Sequence, residues 1–148
     1  MLELWRRVKN WYYHWYLNRR YPRVKERGLT RAKAKLGVGK GWHNLVDQVY
    51  DICDVYDIVV SDVKQKYAGL RVAWWWPEHA EDYEPDYDGV TQALLTLEDD
   101  SYRICEECGQ AGEPVEVHGW WYTLCAACRE RMEAEHDKKV DRIVASSG

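Results

Sequence analysis

Two pairs of cysteines carry the clearest chemistry in this 148-residue chain: Cys105 with Cys108, and Cys125 with Cys128, with sixteen residues between the pairs. Two intervening residues let both sulfurs of a pair face a single ion across a tight turn, and two such turns complete a tetrahedron. Zn²⁺ has no d-electron preference of its own and accepts four thiolates readily. The spacing therefore predicts one structural zinc ion held by all four cysteines. Four protein ligands leave no position for water or substrate, so a catalytic zinc is not expected. His118 lies between the pairs as a substitute donor, but with four thiolates at hand it reads as a hairpin-turn residue. The competing reading of the same cysteines is a disulfide or redox pair. The N-terminus disfavours it: charges occur throughout, no uninterrupted apolar stretch reads as an export signal, and the expected location is the cytoplasm, where paired cysteines are metal ligands more often than bridges.

The ligands need elements to hold them. After the first knuckle, where Gly109 can take a left-handed conformation, Pro114 to Val117 and Trp120 to Leu124 read as the two strands of a short hairpin turning at Gly119. Cys125 and Cys128 then open a predicted helix from Ala126 to about Val144, whose N-terminal amides favour thiolate charge. Knuckle, hairpin and a helix-borne second pair is the layout of a treble-clef zinc finger.

Upstream, residues 42–56 carry the best helical pattern. Trp42, Leu45, Val46, Val49, Ile52, Cys53 and Tyr56 fall on one face, and His43, Asn44, Asp47, Gln48, Asp51 and Asp54 on the other. Cys53, on the apolar face, reads as a small core residue. Ile58 to Lys66 and Leu70 to Trp76 read as strands of a hairpin, with Gly69 expected to take a positive φ in the turn. A helix over about 89–99 presents Val90, Ala93, Leu94 and Leu97 to the core. The acids of residues 78–88 read as a solvated loop; they lack the glycine and terminal glutamate of a calcium-binding helix–loop–helix.

Charge is segregated. Residues 1–40 hold twelve Lys or Arg against two Glu, a net of +10, whereas residues 41–148 hold nine Lys or Arg against twenty-three acids, a net of −14. A basic arm on an acidic body suggests a polyanionic partner. Arg6, Arg7, Lys9, Arg19, Arg20, Arg23, Lys25, Arg27, Arg31, Lys33 and Lys35 would neutralise phosphates or meet an acidic protein, and Trp11 and Trp15 would stack on bases. The competing reading folds the arm onto its own acidic body. The arm is predicted as a helix over residues 2–17, stopped by Tyr21-Pro22, and a basic helical segment over 30–36 with Thr30 as N-cap. Gly37, Gly39 and Gly41 read as a linker, giving an arm at 1–40, a body at 41–103 and a finger at 104–148. No stretch reaches the ~18 apolar residues needed to span a bilayer. The nine Trp and eleven Tyr, with no Phe, suit interfaces and half-buried surfaces.

Two resemblances follow from these motifs. The order Cys-x-x-Cys-Gly, Val117-His118, Leu124-Cys125-x-x-Cys128 resembles the ββα-metal core of zinc-bearing HNH nucleases. The second histidine, the asparagine and most of the intervening loop are lacking, so the resemblance implies a scaffold without nuclease chemistry. The second covers roughly residues 41–130. Gly41-Trp42, the stretch Asp62 to Arg71 (DVKQKYAGLR), the stretch Ser101 to Gly109 (SYRICEECG), Gly119-Trp120 and Leu124-Cys125 resemble small bacteriophage and prophage proteins with a "VKEKFGGLR" hairpin before a "CxxCG…GW…LCxxC/H" finger. Gln65, Tyr67 and Ala68 depart from that pattern conservatively. The resemblance implies a phage origin and no enzyme.

The fold class expected is α+β: a helical basic arm, a helix-plus-hairpin body and a treble-clef-like finger ending in a helix. The expected function is non-catalytic, with one structural zinc, acting by binding nucleic acid or a host protein complex, as an inhibitor of host machinery or defence. The alternatives are membrane-surface attachment by the aromatic, cationic first helix and a degenerate HNH-type nuclease.

Overall fold

The computed structural model describes residues 28–56, 58–76 and 87–148. The predicted helix at 2–17, its stop at Tyr21-Pro22 and most of the acidic stretch at 78–88 lie outside the described residues.

The fold is α+β. Helix α1 (Arg31–Leu36) is capped as predicted, Thr30 accepting from the Lys33 amide. A 3-10 turn (Lys40–Trp42) leads into α2 (His43–Val55). Strands β1 (Val59–Lys66) and β2 (Gly69–Trp75) pair antiparallel, with an irregularity between Val60 and Asp62. Helix α3 (Tyr87–Ser101) returns across them. The finger follows as β3 (Glu113–Val117), β4 (Trp120–Leu124) and α4 (Ala126–Ser146), its two strands forming a separate antiparallel hairpin.

The core of the body is the face read from the periodicity of α2. Leu45, Val46, Val49 and Cys53 are buried, packed with Val60, Val63 and Leu70 from the hairpin and Val90, Leu94 and Leu97 from α3. Tyr50 joins them, its hydroxyl donating to the Leu29 carbonyl. Burial in this apolar setting pushes the Cys53 thiol up to about 12, which fits a packing residue and not a nucleophile.

The β1–β2 turn differs from expectation. Tyr67 and Ala68 take the positive φ values, 50° and 68°, while Gly69 does not. Gly69 serves a different need: a Cβ there would lie 2.5 Å from the Tyr102 ring. Tyr102 in turn accepts from Arg71 at 2.7 Å, and the guanidinium sits 5.7 Å from the ring centroid. Beside it, Ser101 accepts from the Leu70 amide at 2.8 Å and Glu98 from the Val72 amide at 2.9 Å. The end of α3 thus covers the open edge of β2 with side chains where a third strand would pair. The Gly-Leu-Arg and Ser-Tyr-Arg motifs are two halves of one structural joint.

Candidate metal centre

The finger assembles around the cysteines. The first knuckle closes with the Gly109 amide donating to the Cys105 carbonyl at 2.9 Å, and Gly109 takes a φ of +78° as expected. Cys125 is the N-cap of α4, its sulfur accepting from the Cys128 amide at 3.5 Å. Helix start and second ligand pair are therefore one feature. The four ligand sulfurs lie within 4.8 Å of one another, and no pair is bridged. A tetrahedral ion bonded to sulfur at about 2.3 Å, as zinc is, puts its sulfurs about 3.8 Å apart; Cys108 and Cys125 stand at 3.7 Å. The donor set and its spacing fit a thiophilic tetrahedral ion.

Charge in the cluster points the same way. The Cys128 amide, directed at the Cys125 sulfur, brings that thiol down to about 7. Burial, followed by the neighbouring sulfurs, pushes Cys128 up to about 12. The four thiols divide, Cys105 and Cys125 favouring the thiolate and Cys108 and Cys128 the thiol, and a divalent cation would neutralise all four together. Arg131, whose guanidinium donates to the Cys128 sulfur at 3.4 Å, adds one cationic hydrogen bond.

His118 stands apart from the sulfurs. It occupies the β3–β4 turn with a φ of 50°, as a turn residue, and it meets His136 of α4.

The glycines read as a linker are packed tightly. Gly41 donates to the Glu106 carbonyl at 2.8 Å, and a Cβ on it would stand 2.0 Å from the Cys105 carbonyl oxygen. One on Gly39 would stand 2.1 Å from that of Glu106. Trp42, fully buried, donates its indole N–H to the Ile104 carbonyl at 2.8 Å. From the other side, Thr123 is fully buried; its hydroxyl donates to Ala68 at 2.6 Å and its carbonyl accepts from Glu106 at 2.9 Å. The first knuckle is therefore clamped between the glycine segment and β4. Glu106 itself is buried, its carboxylate accepting from the Thr123 amide at 3.3 Å, and burial pushes it up to about 7. No sequence signal announced that buried carboxylate. The Gly-x-Gly-x-Gly run was read as a linker, because glycines required by close approach have the same appearance as a flexible hinge.

The candidate binding residues of the arm divide. Arg31 reaches Asp47, Asp51 and Asp54 at 3.3, 2.9 and 3.5 Å, and Lys35 reaches Asp47 at 2.8 Å. The Lys35 contact is the main reason the Asp47 carboxyl lies below its usual range. These two cations dock on the acidic face of α2. Lys33 is exposed. Arg6, Arg7, Lys9, Arg19, Arg20, Arg23, Lys25, Arg27, Trp11 and Trp15 lie outside the described residues. Among the described residues, no helix is long and apolar enough to cross a membrane. No family model, no curated protein and no solved structure matches this chain.

Proposed function

We propose that this protein is a non-catalytic binding module built on one structural zinc ion, with nucleic acid as its partner. The convergence of four thiolates carries the reading: such a set favours zinc over harder ions and leaves it no open position for chemistry. The fold then acts as a rigid base. From it the finger presents Trp120, 71% exposed, and Trp121, 46% exposed, as rings free to stack. The positive charge of the first 27 residues precedes the docked α1 and is the source of phosphate contacts. The motifs shared with phage proteins support a phage origin, and with it a host cytoplasm as the place of action.

The test is a pull-down from host lysate with and without nuclease, beside a gel shift at two salt concentrations. Nucleic acid in the captured material, and binding that weakens with a log–log slope of roughly −0.9 per phosphate contact on duplex DNA, support the reading. A nuclease-resistant protein partner with no salt-dependent shift replaces it with capture of an acidic host protein. In either case the contact falls to the cations of residues 1–27, because Arg31 and Lys35 are already paired with carboxylates of α2.

A further inference from the structure

The β3–β4 turn places two left-handed residues in succession, His118 at a φ of 50° and Gly119 at 84°. That is the backbone of a two-residue hairpin turn of the primed type, where asparagine and glycine are the usual occupants. Histidine is tolerated there at some cost. In this position the His118 ring stacks on that of His136, centroids 3.5 Å apart and planes 16° from parallel. The Asp137 carboxylate is 4.0 Å from Nδ1 of His136. One ligand atom from each of His118, His136 and Asp137 lies within 4.8 Å of the others, and all three residues are exposed.

We infer that His118, His136 and Asp137 form a second metal site, separate from the four-thiolate centre, for a divalent transition ion of the zinc class. The chemistry of the donors selects the ion. Two imidazoles and one carboxylate suit zinc, nickel or cobalt, whereas calcium and magnesium demand oxygen shells. Tetrahedral bonds of about 2.1 Å place ligand atoms about 3.4 Å apart, and an ion bonds an imidazole nitrogen in the plane of its ring, so binding requires the two stacked rings to part and turn their nitrogens towards one point. Their exposure leaves room for that movement. Three protein ligands keep at least one coordination position open to water or to an outside donor.

The location gives the site a consequence. His136 lies eight residues beyond Cys128, about 12 Å along α4. Beyond Glu133 every residue of that helix is exposed, and the ring contact with His118 joins this outer part to the hairpin. A metal ion there ties the hairpin turn to the unsupported part of the helix, so helix order responds to metal supply while the four-thiolate centre remains filled.

The experiment uses the full chain carrying one equivalent of zinc, titrated with further Zn²⁺ and, separately, Mg²⁺ and Ca²⁺. Imidazole resonances and amide exchange along α4 are followed together. A second equivalent of zinc is expected to bind and to shift the His118 and His136 signals in step. Amides near residue 136 are expected to slow, by about 100-fold at a hundred times Kd if opening requires metal release. Magnesium and calcium are expected to do neither. His118→Asn, which keeps a residue suited to the turn, and His136→Gln, on an exposed helical position, are each expected to lose the second equivalent and keep the first. The inference is overturned if the second equivalent binds equally well to these variants, if it binds without moving those two imidazoles, or if no second equivalent binds at all. None of these outcomes bears on the thiolate centre or on the partner of the arm.

Discussion

The body and the finger are stabilised by different means. The body packs fourteen buried residues from three helices and a hairpin into one apolar cluster. The finger's cluster has five, and two of them, Cys105 and Cys128, belong to the four-cysteine group that could hold a metal ion. Its three remaining buried side chains, Val115, Val117 and Leu124, contribute about 1.5–3 kcal/mol each. A structural zinc at the proposed four-thiolate site would tie knuckle, hairpin and helix start together where so few apolar side chains do. The comparison teaches that one chain can join a large apolar core to a small one built around a cysteine cluster, where Gly41 and Thr123 grip the first knuckle.

Metal removal should divide the two regions most strongly. Chelation, or Cys125→Ser, is expected to abolish amide protection in β3, β4 and the start of α4 while α2 keeps most of its own. Hydrogen exchange reads this directly. Simultaneous collapse of α2 would mean that the joint, and not the metal, sets the cooperative unit.

The joint is tested by Gly41→Ala. Its new Cβ would press on backbone atoms of Cys105 and Gly109, 2.0 and 2.5 Å away, with no flexible side chain to yield. A loss of about 3 kcal/mol or more is expected in a denaturant melt, at or beyond the upper end for overpacking. Gly119→Ala is the control. It meets nothing within 4 Å but keeps a φ of +84°, so about 1–2 kcal/mol is expected from the left-handed backbone alone. Equal losses at the two glycines would remove the case for a tight joint.

Ser101→Ala is a smaller change inside the body. It leaves the buried Leu70 amide without its acceptor, a loss of about 1–3 kcal/mol, with zinc content unchanged. The least effect is expected from Arg31→Gln. Its partners Asp47, Asp51 and Asp54 are solvent-screened, so thermal stability should shift slightly at low salt and not at high salt. A large shift would make α1 a structural strut of the body.

Much of this architecture was legible in the sequence because its signals are local. The apolar face of α2 repeats at helical spacing, the strands are β-branched and aromatic, and the cysteine pairs name their own geometry. What escaped was set by tertiary contact. A glycine required by a neighbouring carbonyl and a glycine in a loose hinge look identical in one dimension, so the packing of residues 37–41 against the knuckle was invisible. Gly69 was expected to serve the turn, yet two side-chain-bearing residues take the positive φ and the glycine makes room for Tyr102. Charge counting likewise placed Arg31 and Lys35 with the rest of the arm, although the carboxylates of α2 stand within their reach.

The most direct measurement is X-ray absorption at the zinc edge of the purified full-length protein, paired with metal stoichiometry. In His118→Asn, which lacks the second site, and in the full chain carrying one equivalent, one zinc per chain surrounded by four sulfurs at about 2.3 Å is the expected result. Folded protein without zinc, or a first shell containing nitrogen or water in place of a sulfur, would contradict a closed four-thiolate centre.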